Sequence, residues 1–475
     1  MEFEPVIGLE IHVQLNTRTK IFSSAPNRFG DEPNTNVSFA DTAQPGALPV
    51  LNREAVNKAI LFGLAVDADI AHFSKFDRKS YFYPDSPKNY QITQFYDPIM
   101  HRGSVSADVE GEMKTFTLHH AHLEDDAGML KHFSSFAGVD YNRAGVPLLE
   151  IVSDPCMHSA AEATAFAMAV KAIMEYIGAS ECNMEEGGLR MDVNVSLRPK
   201  GSSELRNKAE IKNMNSFTNM QLAIASEIRR QTNIYKENKT VENETLRFDL
   251  EKRITIPMRS KEMAADYRYF PEPDLPPIIL TKEEIEKIRA NLPELPQERL
   301  ERYLTKLSLS PYNATLLVNE KKLSDYFEDA LLTSNDPIVL CNWITVEFVG
   351  RLKDSGESLL SKGIEAKHVA ELVNMIGEKT ITGKIAKSIA DIMVKNPGKS
   401  PKKIVKENPD FQPMTDISAI EKIVHDVVDA NPQSAVDYKN GNLRSFNFLI
   451  GQIMKATRGK AEPTLVRDLL KKKLQ

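Results

Sequence analysis

Cysteine is scarce in this chain. Its 475 residues include three cysteines, Cys156, Cys182 and Cys341, and none belongs to a Cys-X-X-Cys pair. An odd number of widely separated thiols argues against both a disulfide framework and a thiolate zinc site. A chain without cross-links fits a reducing compartment, and we therefore expect a cytoplasmic protein.

Long apolar runs are also absent. No stretch approaches the roughly 20 apolar residues that a bilayer span requires. The acidic start, Met1-Glu2-Phe3-Glu4, lacks the basic and apolar regions of a signal peptide. With 41% hydrophobic and 27% charged residues the composition is typical of a globular protein, and we expect no membrane association.

The length of the chain predicts more than one domain. Up to about Pro277 the sequence mixes short alternating strands, turns and a few helices, such as residues 159–176 and 216–235. Residues 297–394 instead carry Leu, Ile and Val at the three- and four-residue spacing of helices. After a Pro- and Gly-containing linker, residues 417–475 read as a small helical module ending in helices 446–456 and 463–474. We expect an α+β protein with its strands in the first part.

The net charge of −6 conceals a basic C-terminal segment. Residues 439–475 contain nine Lys or Arg against two acidic residues, a net of +7, so the remainder of the chain sums to −13. A basic C-terminal segment on an otherwise acidic chain is typical of a protein that binds a polyanion such as RNA. A solvated helix end capped by lysines explains the charge equally well.

Two segments place polar side chains on one side of an extended backbone and apolar ones on the other. In residues 6–15 the polar side includes Glu10 and His12, which would lie roughly 7 Å apart on one strand face. Residues 189–198 repeat the design with Arg190 and Asp192. A water-facing sheet surface produces the same alternation. However, Glu, His, Asp and Asn are the ligands that suit Mg²⁺ or Mn²⁺.

Further carboxylates strengthen a metal-site hypothesis. Glu124, Asp125 and Asp126 follow one another before Gly128, and Glu150 stands alone within an apolar run. A lone buried acid requires a counter-charge. Three consecutive acids are either exposed on a solvated turn or face a cation. Together with Glu10, His12 and Asp192, these residues predict a divalent metal site.

Two other patterns are weaker. His119, His120 and His122 lack the thiolates or fixed spacing of a metal motif, and we leave them out. Gly398-Lys399-Ser400 resembles part of a phosphate-binding P-loop, but Met393 replaces the required glycine and the segment follows a helical pattern.

Basic and polar residues in two segments are candidates for binding anions. Residues 74–85 interleave Lys and Arg with aromatic residues, a mixture that can hold phosphate and stack a base or can form an aromatic core with snorkelling basic side chains. Ser216 ends a second polar segment where a helix is expected, and it could cap that helix or meet an anion.

Seven segments resemble, as they stand, the B subunit of the bacterial and organellar tRNA-dependent amidotransferase. They are IGLEIHVQL (7–15), PGALPVLN (45–52), DRKSYFYPD (77–85), HLEDDAG (122–128), NRAGVPLLE (142–150), DYRYFPEPD (266–274) and GQIMKA (451–456). They occur in order from end to end of the chain. The resemblance implies an antiparallel-sheet cradle domain over 1–292, a helical domain over 293–400 and a tail over 401–475 that resembles the YqeY family and contacts tRNA.

The resemblance also implies an activity. In this family the B subunit uses ATP and Mg²⁺, or Mn²⁺, to phosphorylate the side-chain carboxylate of glutamate or aspartate on a mischarged tRNA, and ammonia then displaces the phosphate. The ammonia comes from the glutaminase A subunit through a channel, and a small C subunit joins the two. Whether glutamate on tRNA(Gln), aspartate on tRNA(Asn) or both are used stays open.

Carried over by position, the resemblance assigns roles to particular residues. The implied metal ligands are Glu10, His12, Asp125 and Glu150, with Glu124 and Asp192 as further catalytic residues nearby. The implied contacts to phosphate or to the acceptor end are Lys75, Arg78, Lys79, Arg190 and Lys212. The implied tRNA contacts of the tail are Arg444, Lys455, Arg458 and Lys460.

The chain departs from the family pattern at two single positions and in the absence of a group of cysteines. Family members commonly carry Glu and Lys where this chain has Asp125 and Met129. Some members hold zinc with four cysteines near the start, which residues 22–25 and 37–41 lack here, so we expect no zinc. Strand alternation would also place Glu124 and Asp125 on opposite faces unless a bulge intervenes.

Two alternatives remain from other classes of protein. A non-catalytic tRNA-binding scaffold of the same complex is suggested by Asp125 and Met129. A metal-dependent phosphodiesterase acting on RNA would use the same acidic residues without ATP.

Overall fold

A computed structural model describes residues 2–258, 267–412, 414, 416–439 and 441–474. Asp266, which begins one of the family segments, lies outside the described residues. The chain divides into two compact units, Met1–Arg299 and Leu300–Gln475. The predicted boundary at residue 292 and the further division at residue 400 stay predictions.

Strands dominate the first unit. In chain order they are β1 (Phe3–Gln14), β2 (Asp69–Ile70), β3 (Phe73–Ser74), β4 (Asp77–Ser80), β5 (Tyr90–Thr93), β6 (Met100–His101), β7 (Ser104–Val109), β8 (Glu112–Asp125), β9 (Met129–His132), β10 (Ala137–Asp140), β11 (Pro147–Ser153), β12 (Leu189–Pro199), β13 (Ala209–Met214), β14 (Glu244–Asp249), β15 (Ile254–Pro257), β16 (Phe270–Pro271) and β17 (Ile278–Ile279).

Ten of the strands in the described residues form one sheet, in the order β15-β14-β13-β12-β1-β11-β8-β6-β2 with β7 paired to β8 beside this path. Its neighbouring strands are antiparallel except β13 and β14, which run parallel. A separate three-stranded sheet, β16-β4-β5, also belongs to the first unit. The expected α+β architecture is confirmed.

One face of the large sheet packs on helices. Ile7, Leu9, Ile11 and Val13 of β1 are fully or almost fully buried on that face. They share a core with residues of the first three helices, among them Phe166. Because strand side chains alternate, this packing turns Glu10 and His12 to the opposite face.

The helices continue through the second unit. In chain order the α-helices are α1 (Arg53–Ala65), α2 (Ala160–Tyr176), α3 (Phe217–Lys236), α4 (Lys282–Arg289), α5 (Pro296–Thr305), α6 (Pro311–Val318), α7 (Lys321–Leu331), α8 (Pro337–Asn342), α9 (Val349–Leu352), α10 (Ala366–Gly377), α11 (Gly383–Lys395), α12 (Pro401–Glu407), α13 (Ile417–Ala430), α14 (Pro432–Lys439), α15 (Leu443–Ala456) and α16 (Pro463–Leu474). A π-helical turn, Trp343–Phe348, joins α8 to α9. Among the described residues no helix combines the length and apolar character needed to cross a membrane.

Helix starts follow the capping signals of the sequence. The hydroxyl of Ser159 accepts a hydrogen bond from the Glu162 backbone at 3.1 Å, at the start of α2. Ser216 accepts one from the Asn219 backbone at 3.4 Å, at the start of α3. Ser216 therefore acts as a helix cap, which is one of the two roles expected for it.

Candidate active site

Strand β1 lies between β11 and β12 and sets the positions of the site residues. In the register of the antiparallel pairs His12 lies opposite Glu150 of β11 and opposite Arg190 of β12. Glu150 in turn lies opposite His122 of β8. Directly opposed residues on one sheet face approach closely, so four distant segments contribute to a single polar surface.

Three of the expected residues form a metal-ligand cluster. One ligand atom each of His12, Glu124 and Glu150 lies within 4.8 Å of the others. His12 Nε2 is 3.3 Å from Glu150 Oε2. His122 Nε2 lies 3.6 Å from both Glu124 Oε2 and Glu150 Oε2. One imidazole and two carboxylates from three adjacent strands thus converge on one point.

The electrostatics of this cluster favour a cation. Burial alone would lower the pKa of His12, but the hydrogen bond and charge of Glu150 raise it to about 9. Burial would raise the pKa of Glu150, yet His122 and His12 hold that pKa well below its usual range. Within the described residues the buried Glu124 Oε2 accepts no hydrogen bond, and its ion-pair partner, His122 Nε2, is 3.6 Å away. A buried carboxylate oxygen that accepts no hydrogen bond, beside a second carboxylate, is a position that a metal ion could occupy.

Asp125, one of the four expected ligands, is not part of this cluster, although it also lines the cavity beside it; its role as a ligand stays a prediction. Its carboxylate forms an ion pair with Lys88 and accepts a hydrogen bond from the Ile92 backbone at 2.7 Å. The cause is strand alternation, because β8 continues through Asp125 and turns successive side chains to opposite faces. Glu124, expected as a further catalytic residue nearby, lies in the cluster.

Glu10 and Asp192 lie in a second cluster next to the first. Ligand atoms of Glu10, Asp192 and Glu210 are within 4.8 Å of one another. Lys212 Nζ lies 3.3 Å from Asp192 and 2.7 Å from Glu210. Burial and the nearby charge of Glu150 raise the pKa of Glu10. A lysine thus already supplies positive charge to this cluster, and Glu10 is not among the converging ligands.

The first cluster opens into a cavity of about 210 Å³ whose walls include His12, Glu124, Glu150, Lys79 and Arg190. The Lys79 ammonium lies 4.9 Å from the centroid of the Tyr267 ring. In the part of the chain that the structure describes, Lys79 forms no ion pair. Burial opposes a charged Lys79, but Glu124 and other neighbours raise its pKa above the usual value.

Other expected anion contacts lie elsewhere. The Arg78 guanidinium donates two hydrogen bonds to Glu272, at 2.7 and 2.9 Å, and stacks on Tyr90. Lys75 pairs with Asp97 at 3.1 Å. Neither lines the cavity, because each is directed to its own acidic partner. Of the five expected contacts, Lys79 and Arg190 lie in the cavity, and Lys212 belongs to the second cluster.

Asp126 is a site residue that did not enter the expected set. Its buried carboxylate accepts hydrogen bonds from Gln14 and Arg190, each at 2.8 Å. Burial would raise the pKa of Asp126, but Arg190 and Arg143 lower it. The sequence signal was its place in the run of three acids and the position of Gln14 on the polar side of β1. Lys88 and Tyr267 also line the cavity. Tyr267 belongs to the family segment 266–274, whereas Lys88 lies in a loop without a comparable signal.

The tail residues lie in the helical module of the second unit. Arg444 and Lys455 are exposed on α15. Lys460 Nζ lies 2.9 Å from Asp410, and Arg458 lies 3.9 Å from the same carboxylate. Two of the four expected tRNA contacts therefore share an acidic neighbour.

The residues that form the cluster and its cavity lie within a part of the chain that matches a known class of domain. Residues 5–286 match the family model described as the GatB/GatE catalytic domain, and residues 325–474 match the GatB domain.

Relatives that match over their full length identify the family more closely. A protein of Protochlamydia amoebophila (strain UWE25) is 57% identical over 479 residues, covering 100% of this chain and 97% of the relative. Proteins of Chlamydia caviae and Chlamydia abortus are 56% and 55% identical, each covering 99% of this chain and 98% of the relative. All three are named as the B subunit of aspartyl/glutamyl-tRNA(Asn/Gln) amidotransferase. The chain belongs to this family of B subunits, which confirms the resemblance.

Proposed function

We propose that this chain uses ATP to activate the side-chain carboxylate of glutamate or aspartate attached to tRNA, so that ammonia converts it to the amide. The observation that carries this proposal is the convergence of His12, Glu124 and Glu150 at a cavity that also contains Lys79. The names of the relatives, which specify aspartyl/glutamyl-tRNA, support the substrate class.

His12, Glu124 and Glu150 would hold Mg²⁺ or Mn²⁺. Their donor atoms, a nitrogen and carboxylate oxygens, suit such ions, and the buried Glu124 Oε2 accepts no hydrogen bond among the described residues. When bound, the ion supplies positive charge that offsets the negative charge on the phosphoryl oxygens during transfer.

The residues of the chain do the positioning. A carboxylate oxygen of the substrate forms a bond to the γ-phosphorus of ATP while the bond to the ADP oxygen breaks. The attacking group is already an anion, so no protein base is required. Lys79 and Arg190 offer cationic groups to phosphate oxygens, and Asp126 orients Arg190. Ammonia then attacks the carbonyl carbon, phosphate leaves, and the nitrogen loses a proton.

The source of ammonia and the capture of tRNA involve other surfaces. A glutaminase A subunit and a small C subunit would complete the complex, as the family resemblance implies. Arg444 and Lys455 are exposed cations of the tail that would contact tRNA phosphates.

The scaffold alternative rests on Asp125 and Met129. Asp125 pairs with Lys88 rather than with the metal-ligand cluster, and Met129 begins β9 outside the cavity wall. Neither substitution alters the three converging ligands, which supports the catalytic proposal over a scaffold.

The test compares Glu124→Gln with Glu112→Gln, an exposed carboxylate on the same strand. Each variant is assembled with the A and C subunits and given Mg²⁺, ATP, glutamine and Glu-tRNA(Gln) or Asp-tRNA(Asn). We expect Glu124→Gln to lower tRNA-dependent ADP formation and amidated tRNA by about 10²-fold or more, since a charge-stabilising group is lost from the transition state. Glu112→Gln should match the unaltered protein.

The unaltered complex provides the decisive control. Binding of tRNA without any formation of ADP would overturn the catalytic proposal in favour of a scaffold. Degradation of tRNA without ATP would favour a phosphodiesterase.

A further inference from the structure

A chain of aromatic rings leads away from the cavity. The ring centroids of Tyr267 and Tyr269 are 5.9 Å apart, and Tyr269 stacks on Phe95 at 3.9 Å with a 12° interplanar angle. Phe95 meets Tyr96 edge-on at 5.0 Å. These four residues, Tyr267, Tyr269, Phe95 and Tyr96, are called the aromatic strip below.

The aromatic strip begins at the catalytic cavity and ends in solvent. Tyr267 lines the cavity, with the Lys79 ammonium over its ring. At the other end Phe95 is 53% exposed and Tyr96 is 57% exposed. Contiguous exposed apolar side chains often mark an interaction site.

The outer rings are held by a buried acid. Asp77 is fully buried, and its Oδ2 accepts hydrogen bonds from the backbone N–H groups of Phe95 and Tyr96, each at 3.1 Å. The inner end is fixed by the Ser80 N–H, which donates to the Tyr267 carbonyl at 2.9 Å. A preorganised platform loses little conformational entropy when a ligand binds.

The composition around the aromatic strip indicates which ligand it suits. In residues 73–96 and 267–274 the exposed large hydrophobic side chains are all aromatic: Phe73, Phe82, Tyr83, Phe95, Tyr96 and Phe270. Exposed aliphatic anchors are absent from these two described segments. Aromatic faces next to a cation such as Lys79 are the arrangement on which unpaired nucleobases stack.

We propose that the aromatic strip stacks the unpaired bases at the 3′ end of tRNA and so directs the terminal aminoacyl group into the cavity. This inference rests on the proposed function. The amino acid is attached to the terminal ribose, so the preceding unpaired nucleotides must run outward from the cavity, as the strip does. Phe95 and Tyr96 are positioning residues in this scheme and do not touch the reacting atoms.

The experiment measures binding of two uncharged tRNAs to the complete complex, one intact and one with its unpaired 3′ nucleotides removed. The unaltered complex should prefer the intact tRNA. Phe95→Ala and Tyr96→Ala should each bind intact tRNA roughly tenfold more weakly, as expected for loss of one stacked base. Their affinity for the trimmed tRNA should equal that of the unaltered complex, which also shows that the variants are folded.

Conservative and distant variants complete the design. Phe95→Tyr and Tyr96→Phe keep a ring and should retain the preference for intact tRNA. Phe133→Ala removes an exposed aromatic residue that stacks on Phe136 outside the strip, and it should have no effect. The KM for ATP should be unchanged in every variant.

Each contrary result has a distinct meaning. Full retention of the preference in Phe95→Ala and Tyr96→Ala would overturn the inference. A raised KM for ATP with unchanged tRNA binding would assign the strip to the base of ATP, and loss of complex assembly would assign it to a protein partner; either would also overturn it. If the unaltered complex prefers intact tRNA but forms neither ADP nor amidated tRNA, the proposed function fails while the strip stands.

Discussion

Glu124 and Asp125 are adjacent in the sequence and line the same cavity, but they have different partners. Glu124 joins His12 and Glu150 in the metal-ligand cluster, whereas Asp125 forms a buried ion pair with Lys88. Asp125, which departs from the family pattern, is therefore the residue that pairs with Lys88. Its shorter side chain therefore bears on the contact with Lys88.

This division predicts opposite effects of two substitutions. Asp125→Asn leaves the Lys88 charge buried without its partner, and we expect a loss of about 3 kcal/mol in stability. Calorimetry should show the unfolding temperature of the first unit falling by roughly 5–10 °C, while Mn²⁺ affinity changes little. Glu124→Gln should lose Mn²⁺ binding, because it removes a charged group of the cluster. Loss of Mn²⁺ binding in Asp125→Asn at full stability would contradict the assignment.

The protonation of His12 predicts a pH-dependent metal affinity. Burial opposes the charged imidazole, but Glu150 outweighs it and raises the pKa from 6.5 to about 9. The charged form therefore stabilises the metal-free protein fully below pH 6.5, and this contribution is lost as the pH rises through 9. An imidazole ligand must be neutral, so the metal competes with a proton in this range.

We expect the affinity for Mn²⁺ to rise about tenfold from roughly pH 7 to pH 8, with release of nearly one proton per ion. Calorimetric titration in two buffers of different ionisation enthalpy measures both quantities. In His12→Gln the affinity should be low and its dependence on pH should be largely lost. An unchanged affinity across this range in the unaltered protein would show that His12 is not a ligand.

At the scale of strands, alternation is the part of the site that the sequence makes predictable. The buried positions of β1 are apolar, so Glu10 and His12 must share the opposite face. Which acids meet across strands depends on register, and a slip of one residue turns every side chain to the other face. The pairing of His12 with Glu150 joins segments far apart in the chain, and local pattern alone does not determine it.

The short strand β4 shows a related limit to what the sequence can predict. Arg78 and Lys79 are neighbours with opposite faces, so Lys79 reaches the cavity while Arg78 binds Glu272. The basic and aromatic composition of residues 74–85 indicates anion binding, but it does not show which of the basic side chains can contact the anion. Loop residues such as Lys88 and Tyr267 enter the cavity through tertiary structure, and no periodicity marks them.

At the scale of the whole chain, positive charge is concentrated in residues 439–475 of the C-terminal helical module, whereas the rest of the chain is acidic overall. That module has its own core, in which Ile420 and Val424 of α13 pack with Leu449 of α15 and Leu470 of α16. Deleting residues 439–475 would remove much of this core, so loss of tRNA binding after deletion would not separate charge from folding. Exposed cations on α15 offer a cleaner test.

Arg444 and Lys455 are eleven residues apart on α15, close to three helical turns, so they lie on one side of the helix about 16 Å apart. We expect the double variant Arg444→Ala with Lys455→Ala to weaken tRNA binding by the complex and to reduce the slope of log affinity against log salt by about one to two units, because fewer counterions are released. Filter binding between about 50 and 200 mM salt measures this slope. The control, Lys282→Ala with Lys287→Ala, removes the same charge from exposed positions of α4 and should leave the slope unchanged. An equal change in both double variants would mean that net charge, and not a contact surface on α15, governs tRNA binding.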